Sequence, residues 1–181
     1  NMQRLVERLL FLARADQKRL GVKYEKFCVS DLMDEIADET SLIGGQHKIM
    51  RSIERELYIT ADRALIKQAV RAVVENSLKY TPAGGTITLS CVTAGGAVRL
   101  SVKDTGAGIS TEDLPHIFDR FYKADVSRVR SVRGSSGLGL SIVKWIVESH
   151  GGQLKAESAK GSGTEIIMLI PCGGHALLTA N

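Results

Sequence analysis

Asp104-Thr-Gly-Ala-Gly-Ile109 follows Val98, Leu100 and Val102, apolar residues that alternate with others as in a strand with one buried face. A carboxylate at the end of such a strand is placed to accept a hydrogen bond. Gly106 and Gly108 permit positive φ and put no side chain between the main chain and a flat ligand. The stretch reads as the floor of a pocket, although Asp-x-Gly-x-Gly also serves ordinary turns after strands. Its surroundings decide. A second glycine cluster, Gly134-Ser-Ser-Gly-Leu-Gly-Leu140, opens a helix downstream, and Asn76 interrupts a helix upstream. Three elements thereby converge on one ligand.

Thr86 to Val92 and Ala97 to Lys103 alternate and are joined by Gly95-Gly96, a hairpin that delivers Asp104. Before it, Asp62 precedes a long amphipathic helix whose buried side is marked by Leu65, Ile66, Ala69, Val70, Val73, Val74 and Leu78. An amide at Asn76 is unfavourable in a helix interior. Ala72, Asn76, Lys79 and Tyr80 fall on neighbouring helical positions, so Asn76 and Lys79 can face one ligand. An amide oxygen beside an ammonium group suits Mg²⁺ with phosphate oxygens. A solvent-facing Asn and Lys near a helix end fit this segment equally well. Pro82 and Gly84-Gly85 terminate it.

After the pocket stretch, Glu112 to Phe118 reads as a short helix with a structural His116, and Phe118, Phe121 and Tyr122 as a small hydrophobic plug. Lys123 to Arg133 is polar, basic and without periodicity, as in a mobile loop hinged at Gly134 and Gly137. Leu138 to His150 is a helix with Ile142, Val143, Ile146 and Val147 on its buried face and Trp145 in packing. Unsatisfied N–H groups at its N-terminus, next to glycines, make a phosphate site. Strands at Gln153 to Ser158 and Glu165 to Ile170 flank the turn Gly161-Ser-Gly-Thr164, and residues 172–181 read as a tail.

Toward the N-terminus, Met2 to Arg19 carries an apolar stripe of Leu5, Val6, Leu9 and Leu12 and begins without a cap, as if cut within a longer helix. Packing on its own domain and pairing in a helical hairpin both remain open for it. Gly21 stops it, Lys23 to Val29 reads as a short strand, and Ser30 as the cap of a helix carrying Leu32, Met33, Ile36, Ala37 and Leu42. Gly44-Gly45 ends that helix and His47 reads as a solvated turn residue. Lys48 to Glu54 and Leu57 to Thr60 read as a pair of short strands.

With 181 residues the chain suits one domain plus an appendage. No apolar run is long enough to span a bilayer and no signal peptide is visible. The net charge is +4, and the one basic concentration, Arg120 to Arg133, lacks interleaved stacking aromatics. That favours a phosphate ligand over nucleic acid. Cys28, Cys91 and Cys172 show no metal-ligand spacing and read as reduced thiols.

Taken in order, Asn76-Ser-Leu-Lys-Tyr-Thr-Pro82, Asp104-Thr-Gly-Ala-Gly-Ile109, Ile117-Phe-Asp-Arg-Phe-Tyr122, Gly137-Leu-Gly-Leu-Ser-Ile-Val143 and Gly161-Ser-Gly-Thr164 resemble the N, G1, F and G2 boxes and closing turn of the ATP-binding domain of sensor histidine kinases. Leu5 to Arg14 resembles the end of the second helix of the dimerisation and histidine-phosphotransfer domain. The resemblance implies a Bergerat-type two-layer α/β sandwich over residues 21–171, a mixed sheet packed on three helices. Residues 1–20 would be an N-terminal helical extension.

It also implies that Asp104 accepts the adenine amino hydrogen, with Thr164 assisting through water. Gly106, Gly108 and Ile109 would lie along the base, and Asn76 would be the Mg²⁺ ligand. Lys79 and Tyr80 would reach phosphates or ribose, and Lys123 and Arg128 would neutralise the triphosphate. Gly137, Leu138, Gly139 and Leu140 would admit phosphates to the helix N-terminus. The implied chemistry is phosphoryl transfer from ATP. Partners would be the phosphoacceptor helix of the chain's own homodimer and a response-regulator receiver domain, with a cytoplasmic domain and a membrane-anchored parent.

The pattern departs from the family at Ala72, where a second Asn is usual and where gyrase-like relatives place a water-activating Glu. A hydrolytic ATPase is thereby disfavoured, and a degenerate nucleotide-binding or interaction module stays open. None of His47, His116, His150 or His175 stands in a phosphoacceptor context. The acceptor is expected on a helix outside this chain.

Overall fold

The computed structural model describes residues 2–16, 21–123 and 137–173. Helix α1 (Met2–Asp16) is followed by β1 (Glu25–Cys28), α2 (Val29–Ile43), β2 (Lys48–Ile53), β3 (Tyr58–Ala61), α3 (Arg63–Tyr80), β4 (Thr86–Ala94) and β5 (Ala97–Asp104). A 3₁₀ turn at Leu114–His116 then precedes α4 (Gly139–Ser149), β6 (Gln153–Ser158) and β7 (Thr164–Pro171). Five strands form one mixed sheet in the order β2-β4-β5-β7-β6, with β2 parallel to β4 and every other pair antiparallel.

Alternation along the strands decides which face is covered. Ile87, Leu89 and Cys91 of β4, Val98, Leu100 and Val102 of β5, and Met168 and Ile170 of β7 are buried in one core with α2, α3 and α4. Helix α2 lies against β2 and β4, α3 against β4 and β5, and α4 against β6 and β7. The intervening residues are mixed, with Val92, Ile167 and Leu169 among polar side chains, and Arg99 binds Glu165 at 2.6 Å and Ser101 at 3.1 Å. This is the expected two-layer α/β sandwich. Gly95 and Gly96, with φ of 52° and 85°, close the β4–β5 hairpin as a two-residue turn of the twist that antiparallel strands favour.

Asp62 caps α3, its Oδ1 accepting from Leu65 N at 3.1 Å. Its Oδ2 accepts from the Lys23 backbone at 3.0 Å, which ties the segment leading into β1 to that helix start. Helix α1 rests on α4, where Phe11 meets Trp145 edge-on at 5.1 Å and Leu12 is buried. Val6, Leu9 and Leu10 of α1 stay exposed.

Strands β2 and β3 form where expected; β2 adds to β4 and β3 forms a two-stranded ribbon with β1. Three expectations are corrected. Cys28, not Ser30, precedes α2, and the Ser30 hydroxyl instead donates to Glu54 O at 2.6 Å and accepts from Leu57 N at 3.0 Å. The helix expected from Glu112 to Phe118 is only a 3₁₀ turn at Leu114–His116, entered at Pro115. His47 is not free in solvent, since its Nδ1 lies 3.0 Å from Gly44 O and its Nε2 3.0 Å from Thr81 O, joining the end of α2 to the end of α3. Beyond β7, Cys172 still bonds Gly96 and Thr60 through its backbone. Residues 174–181 lie outside the described residues, as do residues 124–136, which contain most of the expected loop and Arg128.

Candidate functional site

Because Asp104 continues the row of Val98, Leu100 and Val102, its side chain points from the central strand toward α3. The carboxylate is buried. Oδ1 accepts from Gly106 N at 2.9 Å and from Thr164 N at 3.2 Å, and Oδ2 accepts from the Ser77 hydroxyl at 3.0 Å. Three uncharged donors hold one carboxylate, and among the described residues no cation is bonded to it, which leaves its charge available to a ligand.

The two glycines after it are required by backbone contacts. A Cβ on Gly106 would stand 2.6 Å from Tyr80 O, and one on Gly108, where φ is 67°, would stand 2.0 Å from Ala159 O. Gly161 N donates to Ala107 O at 2.7 Å, so the turn between β6 and β7 closes onto this loop. Ile109 N donates to Ser158 Oγ at 2.8 Å, and Ser158 lies 2.9 Å from the Thr164 hydroxyl. Thr164 thus meets Asp104 through its backbone and Ser158 through its side chain.

At the opposite end of the site, the first intrahelical bond of α4 runs from Ile142 N to Leu138 O, so the N–H groups of Gly139, Leu140 and Ser141 have no partner within the helix. Beside Gly139 a Cβ would meet only Asn76 Nδ2, 3.9 Å away. A Cβ on Gly139 would thus rest in ordinary van der Waals contact with the Asn76 amide, which places the start of α4 beside that side chain. Ala72, Glu75, Gly139 and Ile142 are among the residues that line an adjoining groove of about 350 Å³ between α3 and α4. Leu138 is buried in the core, which leaves only its backbone to face a ligand.

Lys79, one turn beyond Asn76, sets its ammonium 5.2 Å from the centre of the Tyr80 ring. Partial burial pushes its pKa below that of an ordinary lysine, and the like charge of Lys123 pushes it further. The partly buried Lys79 and the exposed Lys123 thus place two like charges within electrostatic reach of each other. Lys123 is tethered locally, since the neighbouring Tyr122 hydroxyl donates to Asp113 Oδ1 at 2.6 Å. That bond and one from Ser110 hold the Asp113 carboxyl below its usual range. Gly137, with φ of 67°, accepts from Phe121 N at 3.0 Å, and a Cβ there would stand 2.7 Å from the Phe121 carbonyl carbon.

Asp104, Gly106, Gly108, Ile109 and Thr164 are brought together at the base of the sheet, and Asn76 and Gly139 at the helix end. Arg128 lies outside the described residues. Reading the sequence missed Ser77 and Ser158. The signal for Ser77 was present: with Val70, Val73 and Val74 it completes a helical stripe, so its hydroxyl is a buried polar group on an apolar face.

Comparison with known proteins gives a common answer. The profile of the family described as histidine kinase-, DNA gyrase B-, and HSP90-like ATPase matches residues 61–174. The chain is 37% identical over 174 residues to the sensor histidine kinase WalK of Bacillus subtilis, an alignment covering 94% of this chain and 28% of WalK. It is 33% identical to the sensor histidine kinase CusS of Escherichia coli K12, covering 94% of this chain and 35% of CusS. The solved structure of full-length ShkA in complex with AMPPNP superposes with a TM-score of 0.82 at 25% identity, over 94% of this chain and 35% of that one. The chain thus spans about a third of the length of the relatives it matches.

Proposed function

We propose, because the chain belongs to the family of histidine kinase-, DNA gyrase B- and HSP90-like ATPases and carries the ATP-binding domain of sensor histidine kinases, that it binds Mg²⁺-ATP and presents the γ-phosphoryl group to a histidine on a helix outside this chain. The observation that carries the reading is that consecutive residues of α3 address both ends of one site. Ser77 bonds the Asp104 carboxylate while the Asn76 amide lies beside Gly139, 3.9 Å from where a Cβ would stand there.

Asp104 then takes the adenine amino group, and Ile109 lies along the base. The N–H groups of Gly139 and Leu140, which have no partner within the helix, take phosphate oxygens, with Leu138 contributing backbone only and Gly137 turning the chain into α4. Lys79 and Lys123 oppose the remaining charge, and Arg128 does so from the loop. Tyr80 flanks the ribose. Asn76 offers a single neutral amide oxygen, and among the described residues no cluster of three or more His, Cys, Asp or Glu is available for a metal. One protein oxygen supplemented by phosphates and water suits Mg²⁺, which gives up its hydration reluctantly. When bound, Mg²⁺ would neutralise phosphate charge, as is general in phosphoryl transfer.

The proposed acceptor helix belongs to a homodimer of the parent protein, and the phosphoryl group passes on to a receiver domain. Residues 1–20 would be the end of the second helix of that dimerisation unit, residues 21–171 the catalytic domain. Among the described residues no helix is long and apolar enough to cross a membrane, so an anchor of the parent would lie elsewhere. Ala72 favours a second reading, binding without transfer, because it supplies neither a second amide ligand nor a general base beside Asn76.

Calorimetric titration with a non-hydrolysable ATP analogue, with and without Mg²⁺, tests the first step. Binding that tightens with Mg²⁺ and is lost in Asp104→Asn is expected, and binding indifferent to both would remove the proposal. Adding an intact helical hairpin in trans separates the two readings: label from ATP appearing on its histidine indicates transfer, and binding without label indicates a nucleotide-holding module.

A further inference from the structure

Among the described residues Ser77 is the one side chain that bonds the carboxylate proposed to read the base, and it does so from inside an apolar helix face. Its residue is 3% exposed and that of Asp104 is 6% exposed, so the contact between them is sealed from water. Each carboxylate oxygen has two in-plane lone pairs. Both on Oδ1 are taken, by Gly106 N at 2.9 Å and Thr164 N at 3.2 Å. On Oδ2 one is taken by the Ser77 hydroxyl at 3.0 Å, and among the described residues no second donor reaches it. One acceptor position is left.

That count discriminates between purines. Adenine offers a single exocyclic amino group at C6, which one lone pair can accept. Guanine offers a carbonyl at C6, which a carboxylate repels, and two adjacent donors, N1–H and the C2 amino group. Two free in-plane lone pairs could take those donors together if the base shifted. With Ser77 bonded, the carboxylate can neither offer that pair nor rotate to do so without breaking a buried hydrogen bond.

Resting on the reading of Asp104 as the adenine acceptor, we infer that Ser77 is a specificity-determining positioning residue: its hydroxyl restricts the Asp104 carboxylate to one free acceptor position and so sets the preference for a 6-amino over a 6-oxo purine nucleotide. A serine whose role is only to fill the helix face would affect all nucleotides alike.

The test is calorimetric binding of non-hydrolysable ATP and GTP analogues to the unmodified chain, Ser77→Ala and Ser77→Thr, with thermal melts to confirm folding. Ser77→Ala is expected to bind the ATP analogue about tenfold more weakly and to lose part of its preference over the GTP analogue. Ser77→Thr, which keeps the hydroxyl, is expected to keep the ratio whatever its added methyl does to absolute affinity. Equal weakening of both analogues in Ser77→Ala, or an unchanged ratio, overturns the inference while leaving the nucleotide site in place. An unmodified chain that binds neither analogue overturns the reading of the site and this inference with it.

Discussion

His150 accepts the Asp62 backbone N–H through Nε2 at 3.0 Å, so the last turn of α4 is bonded to the cap of α3. The other ring nitrogen faces Ile146 O at 2.7 Å, which fixes the neutral tautomer with its proton on Nδ1. The ring is 1% exposed, and Tyr24 packs beside it at 5.5 Å while its hydroxyl donates to Ser149 O.

Burial pushes the His150 pKa below that of an ordinary histidine, more than its bond to Ile146 and the nearby Asp62 carboxylate raise it. The unfolded chain therefore binds a proton that the folded chain refuses. This contribution to stability is complete above the ordinary value of about 6.5 and is lost as pH falls from there through the folded pKa. The midpoint of urea denaturation is expected to fall over that window, and to fall less in His150→Gln. Removing the ring should itself cost about 1–3 kcal/mol, because the Asp62 N–H is left buried without its acceptor.

Gly108 and Gly139 are expected to respond oppositely to alanine. At Gly108 a methyl group meets Ala159 O at 2.0 Å with φ at 67°, and a loss of at least about 2 kcal/mol in denaturation is expected. At Gly139 a methyl group would meet Asn76 Nδ2 at 3.9 Å, an ordinary contact without a clash, and alanine in a helix is favoured by up to about 1 kcal/mol. Gly139→Ala is expected to melt no lower than the unmodified chain while binding an ATP analogue more weakly, as judged by calorimetry beside the melt.

Lys79 is discharged more easily than an ordinary lysine by partial burial first and by Lys123 second. In Lys123→Ala its titration, followed by NMR of the side-chain carbon next to nitrogen, is expected to move to higher pH without reaching the ordinary lysine position, since the desolvation remains. An unchanged midpoint would show that the two ammonium groups do not share a site.

The ring contact between Phe11 and Trp145 offers an optical check, because Trp145 is the sole tryptophan of the chain. Phe11→Ala is expected to red-shift its emission as water reaches the indole. The expected loss of stability is about 1–2 kcal/mol, from the aromatic pair and its buried area.

Local patterns carried most of the fold into view. The β4–β5 hairpin, the capped helix after Asp62 and the glycine turn before α4 each declare themselves within a few residues. Long-range pairings did not: nothing in Lys48–Ile53 names Thr86–Cys91 as its parallel neighbour, and the short apolar runs of β2 and β3 fit several partners. Side chains acting across the chain were hidden for the same reason. His47 reads as a turn residue until Thr81 is brought to it, and Ser77 as a weak helix residue until Asp104, 27 positions on, turns toward it.

Asn76 and Ser77, adjacent on α3, also make that helix a mechanical common ground for the whole pocket. A slide along its axis, or a twist about it, displaces the contact at Asp104 and the Asn76 amide beside Gly139 in the same motion. Under the proposed reading, a rigid shift of α3 would therefore reach the base end and the phosphate end of the pocket together, and the two ends would not be reset independently through that helix.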